Sequence, residues 1–150
     1  MKALGASISF ATAGGGHTLV DEIIASSKAS DALCHSVTLY SKESIDDFID
    51  TTPEKYVASY VALELATESA MRNLKRFGPD QKVVVVAVGI TATMAYEGQR
   101  EDRVNQAYVA IMVDASVGIT HEFHVVFKTS TREEQEKELR EFITEEIDKL

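Results

Sequence analysis

The stretch Lys82-Val-Val-Val-Val-Ala-Val-Gly-Ile-Thr-Ala-Thr93 decides the fold. After Lys82 it is an unbroken apolar run to Val88, all β-branched valine but for Ala87, with none of the alternation that a strand with one wet face would show. Such a run suits a central strand covered on both faces, which requires helices on both sides of its sheet. The flanking sequence supplies them. Upstream, Val57, Val61 and Leu65, with Ala58, Ala62 and Ala66 beside them, lead to Ala70, Met71 and Leu74. This spacing predicts a helix from Pro53 to Phe77, stopped by Gly78-Pro79. Downstream, Leu139, Phe142, Ile143 and Ile147 form the apolar stripe of a helix over Thr131 to Leu150.

The remaining segments complete a layered pattern. Ala6 to Ala11 reads as a strand that runs into Thr12-Ala13-Gly14-Gly15-Gly16, and Leu19, Val20, Ile23 and Ile24 then stand at helical spacing. Ala32 to Tyr40 reads as a second strand, after which Ser41 caps a short helix carrying Ile45, Phe48 and Ile49. Beyond the valine run, a polar excursion to Arg103 precedes a strand over Gln106 to Val113. The turn Ser116-Val-Gly118 leads to an antiparallel partner over His121 to Phe127. Helices interleaved with strands of both directions predict a single-domain α/β/α sandwich with a mixed sheet, over residues 1–150.

Composition narrows the function classes. Fifteen basic against 24 acidic residues give a net charge of −9. This argues against a phosphate-backbone binder and against docking on an anionic membrane. No stretch reaches the roughly 18–20 apolar residues of a membrane span, and one cysteine, Cys34, forms no internal disulfide. The expectation is a cytoplasmic domain that binds neither nucleic acid nor membrane. Residues 131–150 hold eight acidic and four basic side chains, so −4 of the −9 belongs to the last helix. The rest is only mildly acidic, and a small phosphorylated ligand stays compatible with it.

Three places invite chemistry. Gly14-Gly15-Gly16 opens a helix, where backbone N–H groups attract an anion. It lacks the Lys-Ser/Thr pair of a P-loop, with His17-Thr18 in that position, and it lacks the third glycine of a dinucleotide fingerprint. No cofactor is therefore expected. The reading is a ligand site or a tight turn with nothing bound. Thr91 and Thr93 follow the valine run, where α/β sheets gather ligands, and either bond a small polar substrate or satisfy loop backbone groups. Tyr96, Glu97, Arg100 and Arg103 fall in a loop that forms a rim, or else are solvated charges. No metal site is expected. His121 and His124, three apart on a strand, face opposite ways, and the side chains of Cys34 and His35 are expected to diverge. Cys34 reads as a small buried filler, and the acidic run Glu133 to Glu146 as a solvated face.

The order of these features resembles the C-terminal domain of the competence/damage-inducible protein CinA, whose stand-alone members are nicotinamide-mononucleotide deamidases. The resemblance runs from about Ile8 to the last helix and rests on the first-turn glycines, Tyr40-Ser41 and Gly89-Ile90. Family members carry Ser-Cys-Thr-Gly-Gly at the first turn, which puts Thr12 in the nucleophile position here. The family's Tyr-Ser-Asn with a following Lys becomes Tyr40-Ser41-Lys42-Glu43-Ser44-Ile45. Lys42 is then the available base, from a shifted position. Gly-Ile-Ala-Gly-Pro becomes Gly89-Ile90-Thr91-Ala92-Thr93, and the anion-friendly Phe-x-Gly-Asp-Arg turn becomes Phe127-Lys128-Thr129-Ser130-Thr131-Arg132. The resemblance implies Thr12 and Lys42 as catalytic residues. It implies Gly14, Gly15, Gly16, Tyr40, Ser41, Thr91, Thr93 and Arg132 around a small anionic or nucleotide ligand, and self-association into a homo-oligomer. The expectation is an amidohydrolase-like domain that keeps its ligand pocket, with deamidase activity retained or lost. The alternative is a non-catalytic binding or assembly domain.

Overall fold

A computed structural model of the chain describes residues 5–25, 32–77, 83–113 and 118–150. Five strands, β1 (Ala6–Ala13), β2 (Leu33–Leu39), β3 (Val84–Thr93), β4 (Gln106–Val113) and β5 (Ile119–Val126), form one sheet in the order β2-β1-β3-β4-β5. β1 runs parallel to both β2 and β3, whereas β4 and β5 are antiparallel additions. Among the described residues four helices cover it: α1 (Thr18–Ala25), α2 (Lys42–Ile49), α3 (Ser59–Leu74) and α4 (Arg132–Asp148). The mixed sheet with helices on both faces is the α/β architecture the valine run requires.

The two faces of the sheet are built differently. On one, Ile8, Phe10, Val86, Val88, Ile90, Val109 and Ile111 pack against Leu19, Val20 and Ile23 of α1 and Leu139 and Ile143 of α4. On the other, the strands offer small residues to α2 and α3, such as Ala11 and Ala13 to Val61 and Leu65, and Ala87 to Ala70. The helix comes close there: a Cβ on Gly89 would lie 2.1 Å from the Ala62 carbonyl oxygen. β1→α1→β2 moves one way along the sheet, and β2→α2→α3→β3 moves back past β1. Right-handed crossovers in opposite directions put their helices on opposite faces. The chain therefore switches direction at β1 and β3, and the carboxyl ends of these neighbours are where an open parallel sheet makes a crevice.

Local chemistry explains two of the helix starts. Ser41 accepts from the Ser44 N–H (3.1 Å) to cap α2, and Thr131 with Glu134 makes a capping box on α4. Two expectations need correction. Helical spacing from Pro53 overreached, because α3 starts at Ser59. The Tyr56 hydroxyl instead donates to Asp46 (2.7 Å), which pushes its ionisation up to about 12, and the Tyr56 carbonyl accepts from Thr91 (2.8 Å). Residues 53–58 are thereby tied across α2 and β3 as an irregular strap. Gly89 to Thr93 is also strand, not loop, because Ile90 to Thr93 pair with Val109 to Gln106 of β4. The expected stop at Gly78-Pro79 and turn at Ser116-Val-Gly118 fall wholly or partly outside the described residues. No described helix is long and apolar enough to cross a membrane.

Candidate ligand cleft

The crevice between β1 and β3 is where the sequence-predicted site residues gather, but unequally. A cavity of about 350 Å³ is lined by Gly14, Tyr40, Thr93, Tyr96, Arg103 and Arg132, with Ala92 and Met94 at its base. A second, of about 200 Å³, shares Gly14, Tyr40 and Arg132 and adds Gly15, His17 and Thr38. Tyr40, Gly14 and Arg132 thus join the two into one cleft. Tyr40 is 78% exposed, and Tyr96, also exposed, has the Arg103 guanidinium 4.5 Å from its ring centroid.

The turn that opens α1 is shaped by packing. Gly14 and Gly16 hold φ of 82° and 90°, backbone that side chains resist. A Cβ on Gly14 would lie 2.2 Å from the Ala92 carbonyl oxygen, and one on Gly15 2.4 Å from the Met94 methyl. The triplet therefore lets the turn press onto the end of β3. Its outward N–H is also already engaged. Gly16 N–H donates to Glu136 Oε2 at 2.9 Å, and the Thr18 hydroxyl reaches the same oxygen at 3.4 Å. Glu136 is a carboxylate of α4, its side chain only 7% exposed, and it stands where a bound anion was expected. Its other oxygen, Oε1, receives no hydrogen bond among the described residues; His17 Nδ1 (3.3 Å) and the Arg132 guanidinium Nη2 (3.7 Å) lie beside it. Arg132 also donates to the Gly14 carbonyl at 3.0 Å, fixing its guanidinium over the turn.

The remaining site residues fall into three groups. Thr12 is 1% exposed within β1, on the face covered by α1 and α4, and lines neither cavity. Lys42 is exposed at the start of α2, with its ammonium 5.4 Å from the Tyr56 ring centroid, and lines neither cavity. Ser41 is committed to capping. The hydroxyl of Thr91 donates to the Tyr56 carbonyl; that of Thr93 donates to the Val104 carbonyl (3.0 Å) and accepts from Gln106 N–H (3.3 Å). Both threonines thus satisfy backbone groups, although Thr93 also borders the larger cavity. The polar loop after β3 is anchored at its root, where Ala95 N–H donates to Gln135 Oε1 (2.7 Å), and Tyr96 and Arg103 form the rim.

Two expectations about polar residues are corrected by packing. The acidic run on α4 is not wholly a solvated face, since Gln135 and Glu136 are buried. The signal was present: Glu136, Leu139, Arg140 and Ile143 recur at i, i+3, i+4 and i+7, so Glu136 extends the apolar stripe. Cys34 and His35 do not diverge; Sγ lies 3.3 Å from Nδ1, while Nε2 meets the Ser69 hydroxyl at 3.0 Å. The β1–β2 register jumps from Ile8↔Leu33 to Ser9↔His35, so Cys34 is an extra residue that interrupts the alternation. Burial, and then the charges of Arg72 and Arg76, lower the His35 pKa below its ordinary 6.5.

No family model matches the chain, and no curated protein matches it. Solved structures do. A competence-damaged protein (CinA) superfamily protein from Enterobacter cloacae superposes with a TM-score of 0.72 at 18% identity, over 97% of this chain and 82% of that one. A competence/damage-inducible protein from Agrobacterium tumefaciens gives 0.71 at 15% identity, over 96% and 85%. A competence or damage-inducible protein from Enterobacter asburiae gives 0.68 at 15%, over 94% and 85%. These superpositions cover nearly the whole chain, and the chain has the fold of the CinA superfamily proteins.

Proposed function

We propose that the chain is a CinA-like domain that keeps the cleft as a binding site for a small anionic ligand of the nucleotide class and has lost amidohydrolase activity. The carrying observation is the make-up of the cleft. Two exposed tyrosines and two arginines border about 350 Å³ at the carboxyl ends of β1 and β3, while the Thr12 side chain is shut inside the sheet. Small-molecule sites span roughly 300–1,000 Å³ and combine flat apolar surfaces with a few placed polar groups. Tyr40 and Tyr96 offer faces for a heteroaromatic ring, and Arg103 and Arg132 offer charge for a phosphate. A nucleophile must reach the substrate carbonyl with a base at hydrogen-bond distance. Thr12 lines neither cavity of the cleft, and Lys42 faces the ring of Tyr56. The test is calorimetry with nicotinamide mononucleotide, followed by an ammonia assay on the same mixture. Binding without ammonia release is expected; ammonia release abolished by Thr12→Ala would overturn the reading.

A second reading, assembly, draws on β5. Among the described residues it is one of the two edge strands of the sheet, β2 being the other, and Ile119 and Val126 are exposed at its two ends. An eight-residue edge with apolar ends is a natural place for a second copy to pair. Sedimentation equilibrium with and without Val126→Lys tests it: a monomeric wild type, or an oligomer the substitution does not weaken, would exclude β5 pairing.

A further inference from the structure

A carboxylate of the protein already holds the place at the glycine turn to which a ligand anion would be drawn. A helix N-terminus has N–H groups without intrahelical partners and partial positive charge, so a ligand phosphate would ordinarily be drawn to the start of α1. That position holds the Glu136 carboxylate, with Oε2 on Gly16 N–H at 2.9 Å. The carboxylate is 93% buried by its side-chain exposure of 7%, and its Oε1 points between His17 and Arg132 with no hydrogen bond among the described residues. It comes from α4 and is anchored by packing, because its neighbours Gln135 and Leu139 are fully buried. A second anion brought to the turn would meet this charge at close range, in surroundings that screen it poorly.

We propose that Glu136 is a built-in occupant of the anion site at the glycine turn and sets the specificity of the cleft. It excludes phosphate from Gly15 and Gly16 and leaves Arg103 and the outer face of Arg132, in the larger cavity, to take the ligand's anionic group. The orientation of the ligand in the cleft follows from this. This inference rests on the reading of the cleft as an anionic-ligand site, and its test separates the two.

Inorganic phosphate is the probe, followed by amide chemical shifts of the full chain and by calorimetry. In the wild type, phosphate should move the amides of Tyr96 to Arg103 and leave Gly15 and Gly16 unmoved. Glu136→Ala frees the turn, so phosphate should then move the Gly15 and Gly16 amides and bind about tenfold more tightly, a change of about 1.4 kcal/mol. Glu136→Gln keeps an acceptor for Gly16 N–H without the charge, guards against a folding defect, and should show a smaller gain in the same direction. Movement of Gly15 and Gly16 in the wild type overturns the proposal, as does a folded Glu136→Gln or Glu136→Ala with no gain in affinity. If the wild type binds neither phosphate nor nicotinamide mononucleotide, the cleft reading fails; a gain in the variants would still establish Glu136 as the occupant.

Discussion

The turn after β1 and the loop after β3 begin side by side, at the carboxyl ends of two parallel neighbours, and both offer positive charge to an anion. They differ in how far the protein satisfies itself. The turn is closed: its glycines press on Ala92 and Met94, its N–H is bonded to Glu136, and Arg132 holds its carbonyl. The loop is fastened at its root through Ala95 and Gln135, but its outer residues, Tyr96 among them, face solvent. A location at the switch point of a sheet therefore does not make a binding site. A site also needs groups whose hydrogen-bonding and charge have not been consumed by the fold.

Glycine substitutions should give the largest contrast. Gly14→Ala forces a Cβ into the Ala92 carbonyl at φ 82° and should cost about 3 kcal/mol, measured by urea denaturation. Gly98 of the loop has a similar φ of 79° but open space around its missing Cβ. Gly98→Ala should cost roughly 1–2 kcal/mol, the left-handed penalty alone. Equal losses at the two positions would erase the contrast between closed turn and open loop.

Removing the internal anion comes next. Glu136→Gln weakens a buried, charge-assisted bond to Gly16 and should lower stability by about 2 kcal/mol, again by urea denaturation. An unchanged midpoint would mean that the carboxylate contributes little to closing the turn. On the loop side the expectation inverts. Arg103→Ala should change stability by less than about 0.5 kcal/mol while weakening nicotinamide mononucleotide binding about tenfold, or 1.4 kcal/mol. A loss of stability without loss of binding would make Arg103 a structural residue.

The smallest effect lies away from the cleft and serves as a control. His35 has a pKa lowered below 6.5 by burial and by Arg72 and Arg76, so the unfolded chain takes up a proton more readily than the folded one. That contribution to stability is present above pH 6.5 and is lost as the pH falls from there through the lowered value. His35→Gln should flatten this slope in denaturation curves across pH 5 to 8. The slope should be the same in the Gly14 and Arg103 variants, because His35 meets Ser69 of α3 on the opposite side of the sheet from α1 and α4. A slope that changed with those variants would show coupling between the cleft and His35.

Much of the fold was readable from periodicity. The valine run announced a strand covered on both sides, and the stripes of α1, α2 and α4 matched their buried or partly buried residues except at Ile24, which is exposed, because burial on one face repeats with the turn of a helix. Pro53 to Ala58 misled for the same reason: spacing alone does not distinguish a helix from a strap held by Tyr56 to Asp46 and Thr91. Of the candidate site, Gly14, Tyr40, Thr93 and Arg132 were named from sequence and do border the cleft. The role of Glu136 was not, since one carboxylate among eight acidic residues on a helix looks solvated until its partner is known.

What the sequence determined by itself was local and periodic: which segments are helices or strands, which face of each is apolar, and that glycines stand where a strand meets a helix. Tertiary structure decided the assignments that depend on contacts between segments distant in the chain. Gly16 and Glu136 are 120 residues apart, and their 2.9 Å bond turns an apparent anion site into an occupied one. Thr12 is likewise an ordinary hydroxyl in sequence, and only its place in β1, beneath α1 and α4, removes it from the cleft. Periodicity encodes burial along one element, whereas the occupancy of a site is set by whichever side chain another element delivers to it.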